Sequence, residues 1–145
     1  MEKIKQKILE NLKNTFCRLK CSGIEGIGIF AIKDIPEGDN PFKGVREQKW
    51  RDFTSSDLNS LDKNVKTMIS DFFAMDENEE FSIPDCGLNG MDISFFLNTS
   101  SSPNVKTIDG GTNFVTTKEI KNGEELTVSY SDYDARYKNS NKQIF

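Results

Sequence analysis

A seven-residue pattern occurs twice in this chain, 85 positions apart. Lys33-Asp34-Ile35-Pro36-Glu37-Gly38-Asp39 returns as Lys118-Glu119-Ile120-Lys121-Asn122-Gly123-Glu124. Both copies run Lys, acid, Ile, two variable residues, Gly, acid, and both follow a β-like run, at 28–32 and 113–117. The glycine lets the backbone turn through positive φ, so each copy reads as a corner between strands. Such corners recur widely. Two of them in 145 residues imply a β fold with two related halves, far short of a solenoid. The length fits one domain with a core of useful size.

The rest of the chain reads in order around these corners. Residues 2–14 place Ile4, Ile8 and Leu12 at a spacing of four, with Leu9 beside them, which predicts a short amphipathic helix. Phe16 to Leu19 reads as a first strand. From Gly23 to Ala31 apolar residues interleave with Gly, a pattern that serves a hairpin or bulge, or brings bare backbone up to a ligand. It lacks the Lys-Ser/Thr ending of a phosphate loop. Between the corners, Asp57 to Ala74 reads as the clearest helix, with Leu58, Leu61, Val65, Met68, Ile69 and Phe72 on a core-facing side and Ser56 or Asp57 as its cap. Asp76 to Glu80 is an acidic loop and Phe81 to Ile83 a short strand before Pro84. Trp50 and Phe53 can line a peptide groove or pack in the core. Leu126, Val128 and Tyr130 alternate with Thr127 and Ser129, as in a half-buried strand. The tail from Ser131 is polar but carries Tyr133, Tyr137 and Phe145, so part of it is expected to dock.

Composition narrows the chemistry. The chain has no histidine, which removes His-based triads, His-ligated catalytic zinc and imidazole general bases. Cys17, Cys21 and Cys86 are too few for a four-ligand structural zinc site without His, so they read as buried or idle thiols. An odd cysteine count and an N-terminus without an apolar signal core point to an intracellular, reduced protein. No apolar run approaches the roughly 18 residues that span a membrane. A net charge of −4 disfavours nucleic acid and suits a basic peptide or protein partner.

Two stretches carry the chemistry. In Phe95-Phe96-Leu97-Asn98-Thr99-Ser100-Ser101-Ser102-Pro103-Asn104 three apolar residues run straight into hydrogen-bonding groups that are costly to bury unpaired. The second, Gly123-Glu124-Glu125-Leu126-Thr127-Val128-Ser129-Tyr130, reads as its crossing partner in one site. With Gly26-Ile27-Gly28 ahead of them, these motifs stand in an order that resembles the SET-domain protein-lysine methyltransferases, over roughly residues 16 to 133. The likeness implies a mainly β, α+β fold: small antiparallel sheets, a C-terminal pseudoknot in which the two stretches cross, one inserted helix and an N-terminal helix. It implies an N-terminal helix over 1–15, a SET domain over 16–133 with a variable insert at 46–90 shaping the substrate groove, and a tail over 134–145.

The resemblance also assigns roles. It implies S-adenosylmethionine as cofactor, held by the backbone around Gly26, Ile27 and Gly28, by Asn98 and by the backbone of Thr99. It makes Tyr130 the catalytic tyrosine, acting as a hydroxyl orienter, and Tyr133 with Phe72 or Phe73 the walls of a lysine channel. The substrate it implies is a basic protein or peptide carrying the target lysine, and no metal is required. The chain departs from the family at three places: Thr99 stands where His is usual, Phe95 where Arg is usual, and Ser101 where Cys is frequent. The cysteine-rich zinc tail of some members is also missing. A backbone contact to the cofactor survives Thr99, while the bonds of an imidazole do not. The alternative is a SET-like module that binds peptides or acts as a scaffold with little or no turnover.

Overall fold

The computed structural model describes residues 2–45, 47–111 and 113–138. In chain order its elements are α1 (Lys3–Lys13), β1 (Cys17–Cys21), β2 (Ile27–Ala31), β3 (Trp50–Thr54), α2 (Lys63–Phe72), β4 (Glu80–Pro84), β5 (Asn98–Thr99), β6 (Val105–Ile108), β7 (Asn113–Thr116), β8 (Glu125–Val128) and α3 (Ala135–Lys138). Short 3-10 turns cover Ile93–Phe96 and Tyr130–Asp132. No helix among the described residues is long and apolar enough to cross a membrane. The chain divides into two compact units.

The first unit joins the chain up to Arg46 with Phe96–Ser129. Its main sheet has the order β1-β2-β8-β5. β1 and β2 form an antiparallel hairpin with Cys17 opposite Ala31, and β8 pairs antiparallel with β2, Leu126 opposite Ile29. On its other side β8 pairs in parallel with β5, Asn98 opposite Thr127. Alternation along 126–130 predicted a strand with one wet face. The structure corrects that: Leu126, Thr127 and Val128 are all buried, so side chains on both faces of β8 are covered, and Tyr130 falls beyond the strand in a 3-10 turn.

Asn104 completes the hold on β8. Its Nδ2 donates to the Glu125 carbonyl at 2.9 Å, its Oδ1 accepts from the Thr127 N–H at 2.8 Å, and its own N–H donates to the Thr127 carbonyl. A buried strand must find a partner for every backbone group, and an amide side chain offers both a donor and an acceptor. Segment 98–104 thus crosses against β8.

The repeated corners meet each other. Ile35 and Ile120, the same position in the two copies, form an antiparallel bridge, with each N–H donating to the other's carbonyl at 2.7 and 2.9 Å, and both side chains are fully buried. Asp34 accepts from the Asn122 N–H, and Gly38 and Gly123 sit at φ +80° and +93°. β6 and β7 form a separate antiparallel pair, and Thr116 ties β7 to the first corner by donating to the Pro36 carbonyl at 2.6 Å. α1 forms where the spacing predicts it, but Ile4, Ile8, Leu9 and Leu12 stay exposed. Cys17 is buried, and burial pushes its thiol up to about 12, far from the thiolate that metal binding or nucleophilic attack needs.

The second unit joins Glu47–Phe95 with the segment from Tyr130 onward. β3 and β4 pair antiparallel with Phe53 opposite Phe81. The polar pattern of Trp50-Arg51-Asp52-Phe53-Thr54 gives β3 no strand signature of its own. The helix predicted over 57–74 starts later, at Lys63, because Asp62 accepts from the Asn64 N–H and takes the cap. Thr54 and Asp57 instead close a turn on each other's backbone N–H groups. Leu61 and Met68, predicted to face the core, are exposed, while Leu58, Ile69, Phe73, Met75, Phe81 and Ala135 make the core. The described part of the predicted tail contains α3, whereas Phe145 lies outside the described residues.

Replacing Asn104 by Ala strands a buried donor and a buried acceptor on β8. Each costs about 1–3 kcal/mol, so chemical denaturation is expected to show a loss of about 2–6 kcal/mol. A loss under about 0.5 kcal/mol would remove Asn104 from this role.

Candidate functional site

The glycine motif, the Asn motif and β8 converge within the first unit. The loop between β1 and β2 closes with the Ser22 N–H donating to the Gly26 carbonyl at 2.8 Å, and Gly26 takes φ +48°. The Ser22 hydroxyl accepts from the Ile24 N–H at 2.9 Å and donates to the Glu125 carboxylate, 2.7 and 2.9 Å from its two oxygens. Asn98 Nδ2 donates to the Glu25 carbonyl at 3.1 Å and to Glu125 Oε2 at 2.9 Å. A loop, a two-residue strand and the head of β8 are thereby joined through one amide and one carboxylate.

Gly28 belongs to this cluster for a steric reason. A Cβ there would collide with Glu125 Oε2, lying 2.9 Å from Glu125 Cδ and 3.1 Å from Asn98 Nδ2. Glu125 is half-buried and forms no ion pair among the described residues. Ile27 leaves its side chain exposed opposite Cys21, and Thr99 pairs with Val128 in the parallel ladder. Of the five residues expected at a cofactor wall, the structure brings Gly28 and Asn98 together and places Gly26, Ile27 and Thr99 on the adjoining loop and strands.

The second unit gathers all three tyrosines of the chain. Tyr130 meets Tyr133 edge-on with ring centres 6.0 Å apart, and Tyr137 edge-on at 5.1 Å. These are favourable aromatic geometries. Burial, reinforced by Tyr130 and Asp134, pushes the Tyr133 phenol above its ordinary value. Arg136 fixes the segment. Its guanidinium donates to Asp134 Oδ1 at 3.1 Å and Oδ2 at 2.8 Å, to Ser70 Oγ at 2.8 Å and to the Phe73 carbonyl at 3.0 Å, and it lies over the Phe81 ring. The Ala135 N–H donates to the Met75 carbonyl, so the tyrosine-bearing segment is tied to α2 and the core beneath it.

Phe73 is 3% exposed and packs edge-on against Phe95 at 5.3 Å, as a core residue, while Phe72 is half-buried. Phe95 also stacks on Trp50 at 6.2 Å, which accounts for an apolar residue where the resembling family usually has Arg. Sequence reasoning missed Ser22, Asp134, Arg136 and the aromatic contact of Tyr137. Ser22 carries no signal in its own neighbourhood. An Arg two residues after an Asp among tyrosines was the available clue to the tail's anchor.

The SET-domain family profile matches residues 26–131. No curated protein sequence matches the chain. Two solved structures of the Polycomb Repressive Complex 2 from Chaetomium thermophilum share its fold at 23% identity and a TM-score of 0.55. One is a humanized mutant bound to an inhibitor and covers 85% of this chain; the other is autoinhibited, bound to S-adenosylmethionine, and covers 86%. In both, the chain spans only 16% of the length of the matching chain. The profile takes in Gly26, Gly28, Asn98, Glu125 and Tyr130, with small sheets and crossed segments between them: the chain belongs to the SET-domain family.

Proposed function

We propose that this SET domain transfers a methyl group from S-adenosylmethionine to the side-chain amine of a lysine in a protein or peptide. The observation that carries the reading is the family match over residues 26–131, which contains every residue assigned a cofactor role as well as Tyr130. The residues present fit a cofactor with a cationic amino-acid end. Both amide hydrogens of Asn98 are committed to oxygens, which leaves its carbonyl oxygen to accept from an ammonium group. Glu125 adds a half-buried negative charge beside it. Gly26, Ile27 and Gly28 would line the amino-acid end with backbone, and Thr99 would contribute its main chain.

When bound, the cofactor supplies a methyl group on a sulfonium, an electrophile that needs no further activation. The chain's own task is to position a neutral amine, and positioning can carry much of the rate. A lysine of ordinary pKa about 10.4 costs about 4.6 kcal/mol to neutralise at pH 7, and an aromatic, poorly hydrated surround lowers that cost. Tyr130 orients the amine through its hydroxyl; with a reference value near 10 it is a poor proton acceptor at neutral pH. Tyr133, held protonated, stays uncharged beside it. A chain of net charge −4 suits a basic substrate segment. Thr99, in place of the usual His, favours the competing reading of a peptide-binding or scaffold module without turnover.

Labelled methyl transfer into a basic protein mixture separates the two. Tyr130→Phe is expected to cut lysine labelling by about 100-fold while S-adenosylhomocysteine binds both proteins alike. Equal labelling would remove Tyr130 from the mechanism, and cofactor binding with no labelled substrate would favour the module. The raised Tyr133 value carries a pH signature. The protonated phenol is favoured in the folded state, so its stabilisation is complete below about pH 10 and fades as pH rises beyond. Tyrosinate absorbance is expected to show a late-titrating phenol, and Tyr133→Phe to abolish that step and flatten the alkaline fall in stability.

A further inference from the structure

An asparagine amide has a donor side and an acceptor side of almost equal shape, so something must decide which one faces a ligand. At Asn98 the structure supplies that decision. Its nitrogen points at two groups that can only accept, the Glu25 carbonyl and Glu125 Oε2. Turning the amide over would set its oxygen against both. Glu125 is in turn held by the Ser22 hydroxyl, whose oxygen also accepts from the Ile24 N–H. The shape of the 22–26 loop and the orientation of Asn98 are therefore set by the same carboxylate. Gly28 leaves the space that carboxylate occupies. Ser22 and Glu25 lie just ahead of the residues matched by the SET profile, and Glu25 takes part through its backbone carbonyl alone.

Charge adds a second constraint. A half-buried carboxylate with hydrogen bonds but no ion pair among the described residues keeps an unneutralised field in its surroundings. A cation arriving on the acceptor side of Asn98 meets that field. We propose that Ser22 and Glu125 are positioning residues that lock Asn98 with its carbonyl oxygen toward the cofactor's ammonium group, and that Glu125 supplies the negative charge this cation requires. The proposal rests on the methyl-transfer reading. It makes recognition of the amino-acid end of the cofactor dependent on the β1–β2 loop as well as on the Asn motif.

Two nucleosides separate this role from a purely structural one. S-adenosylhomocysteine carries the amino-acid end, and 5′-methylthioadenosine has the adenosine and sulfur without it. Calorimetry on the whole chain is expected to show Glu125→Gln weakening S-adenosylhomocysteine by about 10- to 100-fold, the range for a bond to a charged group, while 5′-methylthioadenosine changes by less than about twofold. Ser22→Ala should move affinities in the same direction by a smaller factor, and Ser22→Thr, which keeps the hydroxyl, should restore them. The unfolding temperature of each free protein identifies any variant that has lost its fold; the Ser22 pair then carries the test. Equal loss of both nucleosides in folded variants, or no loss of either, overturns the proposal. Failure of the wild-type chain to bind S-adenosylhomocysteine overturns it too, and takes the methyl-transfer reading with it.

Discussion

The first unit depends on satisfying one buried strand from both sides. β8 carries three consecutive buried residues, and water cannot serve its backbone groups. β2 takes one edge; β5 and the Asn104 side chain take the other. That requirement brings the Asn motif against the Glu-Leu-Thr motif, and the functional cluster follows from it. Once Asn98 pairs alongside Thr127, its amide lies within reach of Glu125 one pleat away. The contact between Asn98 and Glu125 is a by-product of strand pairing.

The second unit answers a different demand. Its core of Leu58, Ile69, Phe73, Met75, Phe81 and Ala135 is small, and α3 has only four residues, too few to be stable by helix propensity. Arg136 ties the segment down by binding Asp134, Ser70 and the Phe73 carbonyl together. A nearly dry ion pair is weak evidence for net stability, but removing one partner would leave the other charge buried and unpaired. The arrangement constrains geometry more than it adds stability, and what it constrains is the segment holding Tyr133 and Tyr137 edge-on to Tyr130.

Much of this was legible from residue order. The two corners, the N-terminal helix, the strand at 81–83 and the glycine, Asn and Glu-Leu-Thr motifs all appear where pattern places them. What pattern missed has two causes. Local competition moved the start of α2, because Asp62 caps better than a residue already engaged with Thr54. Non-local pairing hid the rest: β3 is recognisable as a strand only beside β4, and the alternation of 126–130 carries no sign of the distant segments that close around β8. Among site residues, Asn98, Gly28 and Tyr130 carry motif signals. Ser22 does not, since its partner stands 103 positions downstream.

The bridge between Ile35 and Ile120 bears on how the protein comes into being. Its halves are 85 residues apart, and the β2–β8 pairing of the main sheet reaches farther still, from Ile29 to Leu126. Loop closure over that span is entropically costly, and topologies of high contact order fold slowly. During synthesis the N-terminal hairpin leaves the ribosome long before β8 exists, with the β2 edge open and Ile29 uncovered. An unpaired apolar edge of that kind is a site for aggregation. The newly made chain is therefore most vulnerable in the interval before β8 arrives.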